Sequence, residues 1–373
     1  MKNLKNFLSL LIFLSLVSVC IFLPKIFKTS CIEANENLKE ASFYKKLDKG
    51  VVQCQLCPRT CVIPDGKRGF CGTRENHKGV LYTLVYAKPV TITFDDPIEK
   101  KPFFHFLPAT KTFSIATAGC NLKCKFCQNW EISQKLPEEV EYFYIEPENL
   151  VKKLIESGRP SIAYTYSEPT IFFEYMLETA KLAKQHGIKN VMHSNGFINE
   201  APLRELAKYL DAADIDLKGF TDDYYKSICE GRLDPVLRSL KILKDEGVHI
   251  EITNLILPGY NDNEDEIRKM CLWIKENLGE DTPLHFSRFF PTYKLIALNP
   301  TPAQTLENAH RIALGCGLKY VYIGNLPGNP AENTFCPKCK KIIIERKGYF
   351  VAQNNIIDGK CKFCKEEIKG VWN

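Results

Sequence analysis

Eleven of the sixteen cysteines in this 373-residue chain fall into three clusters whose spacing suits metal ions. Cys54, Cys57, Cys61 and Cys71 form the first, Cys120, Cys124 and Cys127 the second, and Cys336, Cys339, Cys361 and Cys364 the third. Two cysteines separated by two residues aim both thiolates at one point, and repeated pairs in a long α/β chain read as metal sites. Thiolates kept for metals imply a reducing compartment. The third cluster has zinc-ribbon spacing, with β-rich residues Lys341 to Val351 between its knuckles. Four thiolates close a tetrahedral site and leave no catalytic position, so structural Zn²⁺ is expected there. An auxiliary iron-sulfur cluster or two disulfides are the competing readings. Such a metal would fold a tail of about forty residues that has little core of its own. The first cluster fits either zinc or a second iron-sulfur cluster, and its spacing does not choose between them.

The middle cluster reads Ala118-Gly119-Cys120-Asn121-Leu122-Lys123-Cys124-Lys125-Phe126-Cys127-Gln128-Asn129, directly after a candidate strand. Three thiolates on one loop can hold three irons of a [4Fe-4S] cluster and leave the fourth iron open to an exogenous ligand. A zinc loop completed by a distant His or Cys is the structural alternative. Cys229, Cys271 and Cys316 lie in helical patterns and read as small buried hydrophobes.

Positioning such a loop requires a framework, and the chain from Thr112 onward supplies one. Strands are predicted at Thr112 to Thr117, Ser161 to Tyr166, Asn190 to Ser194, Ala213 to Leu217, His249 to Leu257, Pro283 to Phe289 and Tyr320 to Ile323. Between them apolar residues recur at three and four: Leu150, Leu154 and Ile155; Leu177, Ala180 and Ala183; Leu203, Leu206 and Leu210; Val236, Leu240 and Leu243; Ile267, Met270 and Ile274. Strand and helix in alternation mean a parallel sheet with helical crossovers, and about six units predict a partial (β/α)6 TIM-like barrel. Chemistry in such sheets collects at the carboxyl ends of the strands. Tyr166, Ser167 and Glu168 close the second predicted strand, Ser194 and Asn195 the third, and Asp214, Asp216 and Lys218 alternate along the fourth. Unpaired charges inside a barrel are costly, so these three either pair with one another as a structural ladder or meet a polar ligand. Glu168-Pro169 would also suit a plain helix start. Asn254, Asn261, Asp262, His285, Ser287 and Arg288 are further polar groups near the expected mouth, and His285 reads first as a satisfied core residue.

A CxxxCxxC loop with an aromatic residue before its last Cys, after the first strand of a (β/α) repeat, resembles the radical S-adenosylmethionine (SAM) superfamily. The resemblance implies that the cofactor's amino and carboxylate groups chelate the open iron. One electron then cleaves the sulfonium to a 5′-deoxyadenosyl radical, which abstracts hydrogen from a substrate. Tyr164-Thr165-Tyr166-Ser167-Glu168-Pro169 occupies the place of that superfamily's Gly-Gly-Glu-Pro motif, with Tyr166 and Ser167 in place of the glycines. Tyr166, Ser167, Glu168, Ser194, Asn195, Asp214, Asp216, Lys218 and Arg288 are accordingly the expected SAM contacts. Cys54-Gln55-Leu56-Cys57-Pro58, Asp96 to Pro102, Cys127-Gln128-Asn129-Trp130, Arg288-Phe289-Phe290-Pro291 and Tyr322-Ile323-Gly324-Asn325 together resemble the radical enzyme of the AmmeMemoRadiSam system. That enzyme is related to the pyruvate formate-lyase activating enzymes. The likeness implies Memo-like and AMMECR-type partners and a low-potential donor such as ferredoxin or flavodoxin. A glycyl-radical activase acting on a partner protein, and a non-enzymatic metal-binding interaction protein, are the rival functions.

Phe7 to Leu23 is an almost unbroken apolar run between Lys2 and Lys5 on one side and Lys25 and Lys28 on the other. Without a small-x-small cleavage site it reads as an uncleaved anchor, which predicts a protein at the cytoplasmic face of a membrane, or cytoplasmic. The expected division is a leader over 1–30, a Cys-rich module over 31–105, a radical SAM core over 106–328 and a zinc-ribbon-like β module over 329–373. The net charge of +6 is spread along the whole chain, and no aromatic and basic interleaving marks a nucleic-acid surface.

Overall fold

Runs of β-branched and aromatic residues separated by amphipathic helices build a parallel sheet here because each helix must cover the sheet that precedes it. In a computed structural model the described residues are 38–372, so the apolar stretch 7–23 lies outside them. No helix among the described residues is long and apolar enough to cross a membrane.

The central sheet has eight strands: β1 (Thr91–Pro97), β2 (Lys111–Ala116), β3 (Ser161–Tyr164), β4 (Lys189–Ser194), β5 (Ala212–Asp216), β6 (His249–Ile256), β7 (Leu284–Arg288) and β8 (Val321–Gly324), paired in that order. β2 to β8 run parallel, and β1 pairs antiparallel with β2 at one edge. The crossovers carry α1 (Pro147–Ser157), α2 (Phe173–Gln185), α3 (Glu200–Ala207), α4 (Leu233–Asp245), α5 (Glu264–Leu278) and α6 (Ala303–Gly315). The expected six strand-helix units are present, and a seventh parallel strand follows them.

Each predicted strand lies within two residues of its observed bounds. The helices also bury the expected stripe, with Leu150 and Leu154 on α1, Val236, Leu240 and Leu243 on α4, and Ile267, Met270 and Ile274 on α5 all in the core. Ile155 departs from that stripe and is 46% exposed on the outer face of α1. Gly158 ends α1 in the left-handed conformation (φ 65°), a backbone state open to glycine at little cost.

Two small β layers flank the sheet. Before it, Tyr44–Lys46, Val52–Cys54 and Val62–Ile63 form one antiparallel sheet, and Lys39–Glu40, Val80–Thr83 and Arg74–His77 another. After it, Thr334–Phe335, Ile342–Lys347 and Phe350–Asn354 form a third. This tail docks through a cluster of Phe104, Tyr320, Tyr322, Ile343 and Ile368. Buried Arg346 donates to the Phe104 carbonyl at 2.9 Å and to Thr334 Oγ1 at 2.8 Å.

Candidate functional site

All strands from β2 to β6 point the same way, so their carboxyl ends bring distant residues to one edge of the sheet. There they enclose a cavity of about 360 Å³, within the size range of small-molecule sites. Cys120, Cys124 and Cys127 line it together with Tyr166, Ser167, Glu168, Ser194, Asn195, Asp216 and Lys218. The triplet loop follows β2 and is pinned by backbone bonds from Lys123 N to Cys229 O (3.0 Å) and from Lys125 N to Ile228 O (2.9 Å). Gly119 precedes the first cysteine with φ 96°, and a Cβ there would lie 3.1 Å from the Cys71 carbonyl and 2.4 Å from Thr73 Cγ2.

The three thiols are costly to ionise where they stand. Burial pushes Cys120 and Cys127 up, and Cys124 is raised first by its hydrogen bond to Cys229 and then by burial. Thiolates at this place need positive charge beside them, which a bound metal supplies. Lys218 offers part of it by opposing the rise at Cys124. Cys229 is buried in the core, as expected of a small hydrophobe, and lies beside the triplet loop, whose Lys123 N bonds its carbonyl.

Glu168 starts the turn after β3 and also stands on the cavity wall. It caps the turn after β3 through Oε1, which accepts from Thr170 N (3.0 Å), Thr170 Oγ1 (2.7 Å) and Ser194 Oγ (2.7 Å). Among the described residues its Oε2 accepts only from Asn195 N, at 2.9 Å, so one lone-pair direction at the cavity wall stays open to a cation. Asn195 in turn donates from Nδ2 to Asn121 Oδ1 at 2.9 Å, tying the end of β4 to the cysteine loop. Tyr166, one of the two residues that replace the motif's glycines, keeps a left-handed backbone (φ 63°), a strain of roughly 1–3 kcal/mol. Its hydroxyl donates to Asp96, and Lys101 Nζ lies 3.8 Å from its ring centre. Burial works to raise the Asp96 pKa, but bonds from Lys101 and Tyr166 outweigh it and hold that carboxylate well below its usual range.

The charges on β5 and just past its end pair with one another and with a histidine. Lys218 Nζ meets Asp216 at 2.7 Å, and His193 Nδ1 meets Asp214 at 2.5 Å. His193 Nε2 lies 3.6 Å from Asp216. Burial alone would lower the His193 pKa, and Asp216 and Asp214 together raise it. Asp214 is fully buried, bonded also to Thr253 Oγ1, and is not on the cavity wall, so it belongs to the ladder reading.

Arg288 is a correction. Successive strand residues point to opposite faces, so Ser287 lines the cavity while Arg288 turns away and donates to the Thr301 carbonyl at 2.8 Å. Asn261 bonds Lys218 O and Leu255 O within a turn, and His285 is a satisfied core residue, bonded to Glu251 at 2.7 Å although it reaches the wall. Sequence reasoning gave no role to His193, Glu99, Lys100 or Lys101, which also line the cavity. The available signals were an ionisable residue at a parallel-strand end and the charged run after Asp96. Among the described residues Ser167 Oγ and Glu99 Oε2 are buried on the wall without a hydrogen-bond partner, as expected where a polar occupant binds.

The two outer cysteine sets differ in geometry. Cys336, Cys339, Cys361 and Cys364 bring their sulfurs within 4.8 Å of one another, with Cys336 to Cys364 at 3.5 Å and Cys339 to Cys361 at 3.8 Å. No described cysteine is in a disulfide. Cys54, Cys57, Cys61 and Cys71 line a separate small cavity with Arg59 and Arg74.

Residues 114–274 match the Radical SAM superfamily. An uncharacterized protein of Methanocaldococcus jannaschii is 47% identical over 336 residues, covering 89% of this chain and 99% of that one. The pyruvate formate-lyase-activating enzyme of Clostridium pasteurianum is 26% identical over 166 residues, covering 42% of this chain and 66% of that one. Among solved structures, that of Streptococcus suis SuiB covers 61% of this chain and 52% of that one at 13% identity, with a TM-score of 0.46.

Proposed function

Because the chain belongs to the radical SAM superfamily, we propose that it cleaves S-adenosylmethionine reductively, with Cys120, Cys124 and Cys127 as the protein ligands of a [4Fe-4S] cluster. The observation that carries this reading is the convergence of these three thiols with Glu168, Asn195 and Lys218 on one 360 Å³ cavity. When bound, such a cluster supplies the single electron that splits the sulfonium and leaves a 5′-deoxyadenosyl radical to abstract hydrogen from a substrate. The chain's own residues bind, orient and shield. Glu168 would hold the cofactor ammonium, with Ser194 and Asn195 fixing that carboxylate in place. Lys218 balances thiolate charge, while Phe126 and the Tyr166, Asp96 and Lys101 group close the wall against water.

The test is anaerobic reconstitution of the full chain with iron and sulfide, followed by assay for 5′-deoxyadenosine with a low-potential reductant. No product above the protein-free control would overturn the proposal. Glu168→Gln leaves the fold's cap largely in place but removes the charge facing the ammonium. A charged hydrogen bond of ~1.5–3 kcal/mol predicts that SAM affinity falls ~10–150-fold, measured by equilibrium binding.

The stretches around Cys54, Asp96, Arg288 and Tyr322 support a place in the AmmeMemoRadiSam system, with Memo-like and AMMECR-type partners and a ferredoxin or flavodoxin as donor. Similarity to the clostridial activating enzyme favours a second reading, hydrogen abstraction from a glycine of a partner protein. A protein-borne glycyl radical signal after turnover with that partner distinguishes the two. The ribbon-spaced cysteines suit structural Zn²⁺, their 3.5 and 3.8 Å sulfur separations being close to the ~3.8 Å edge of a tetrahedron with ~2.3 Å Zn–S bonds. Stripping that metal with a strong chelator is expected to expose residues beyond Thr334 to limited proteolysis while the sheet resists.

A further inference from the structure

The segment Asp96 to Pro102 leaves β1 beside Lys111, the first residue of β2, whereas the cysteine triplet follows Ala116, the last. Six residues of strand, roughly 20 Å, lie between those two ends, yet Glu99, Lys100 and Lys101 line the same cavity as the triplet. The cavity therefore has a second end. Phe104 and His285 also line it, their ring centres 4.8 Å apart.

The charges on the wall single out one group there. Lys100 and Lys101 are both held by Asp96, at 3.0 and 2.8 Å, and His193 and Lys218 pair with Asp214 and Asp216. Glu168 faces the cofactor in the reading above. Glu99, on the short turn Ile98–Lys100, is 2% exposed, and among the described residues no ion pair reaches it. Its Oε1 accepts from Ala109 N at 2.8 Å, while its buried Oε2 has no hydrogen-bond partner. Burial pushes its pKa up and Glu251 adds to the rise, which the Ala109 bond and Arg346 offset only in part. An ionised Glu99 is thus short of positive charge.

His285 adds a second acceptor. Its Nε2 bonds Glu251 at 2.7 Å, and Glu251 also accepts from Phe104 N at 3.0 Å and His105 N at 2.7 Å. Burial works against that carboxylate, but His249 and His285 outweigh it and keep Glu251 ionised. An ionised Glu251 fixes the proton of a neutral His285 on Nε2. Nδ1, without a partner among the described residues, is then a free lone pair. Two acceptors, one of them a carboxylate lacking a counter-charge, suit a ligand that brings N–H donors and a positive charge.

The geometry points to a substrate subsite at this end of the cavity, built on Glu99 and His285 and selective for an organic cation with N–H donors, an ammonium or an amidinium group. Calling its occupant a substrate rests on the radical SAM reading above; the preference for a cation does not.

The test uses the full chain reconstituted with iron and sulfide and measures, by calorimetry with and without SAM, the binding of propylammonium and methylguanidinium against 1-propanol. Both cations are expected to bind at least ~10-fold more tightly than the alcohol, and Glu99→Gln is expected to abolish that preference. Equal binding of cation and alcohol by the wild type would overturn the proposal. So would a preference lost in Glu168→Gln but kept in Glu99→Gln, which would put the cation at the cofactor end. Should Glu99→Gln fail to fold, Glu99→Asp takes its place, since it keeps the charge but withdraws it by one methylene. Unchanged cation affinity in that variant would reject Glu99 as the anchor. Cation binding through Glu99 with no 5′-deoxyadenosine formed would keep the site and remove the reaction, whereas 5′-deoxyadenosine formation with no cation preference would do the reverse.

Discussion

Changing Cys120, Cys124 and Cys127 together to Ala is expected to lower 5′-deoxyadenosine formation by at least ~10³-fold, a loss of ~4 kcal/mol in transition-state terms. The size follows from the role proposed for those thiols: they would be the chain's hold on the group that supplies the electron, and no side chain could replace it. The fold should survive, since each change removes a single sulfur from a loop whose backbone is fixed by its bonds to Ile228 and Cys229. Unchanged near-ultraviolet circular dichroism would confirm that only the site was lost. Cleavage persisting in this variant would mean that the electron enters SAM elsewhere in the molecule.

The parts of the site that were legible in the sequence are those that local pattern controls. Strand ends announce themselves by the switch from alternating to helical periodicity, and polar residues placed there fall on the cavity because parallel strands share a direction. Glu168, Ser194, Asn195, Asp216 and Lys218 were found in this way. Helix α6 was not, because its buried stripe includes Ala309 and Ala313, whose small side chains give a weak apolar signal beside Leu306 and Ile312. β1 was missed for a related reason. It is antiparallel, lies at the sheet edge and ends in Asp95, Asp96 and Pro97, residue types depleted in strands, which leaves only a short strand-like run before them. Arg288 failed on parity, since a shift of one residue along a strand reverses the face. Pairings between distant segments leave no local trace at all, as with His193 on β4 against Asp214 and Asp216 on β5.

Arg74 and Glu174 are the extreme of that class, and the second large effect is expected there. Glu174 sits in the first turn of α2, 3% exposed, and accepts from Arg74 Nη2 at 2.8 and 2.7 Å through its two oxygens. Ser42 N also donates to it, at 2.6 Å, while Ser42 O accepts from Arg74 Nη1 at 3.2 Å. One buried pair therefore clamps the segment at Ser42, the strand Arg74–His77 and the sheet's helix layer together. Glu174→Leu strands the guanidinium without an anion and should cost ~3–5 kcal/mol, read as a large fall in the urea midpoint. The double variant Arg74→Met, Glu174→Leu, which removes both charges at similar volume, is expected to recover most of that loss. Failure of the double variant to recover would mean that Arg74 and Glu174 hold these layers together by more than their mutual charge.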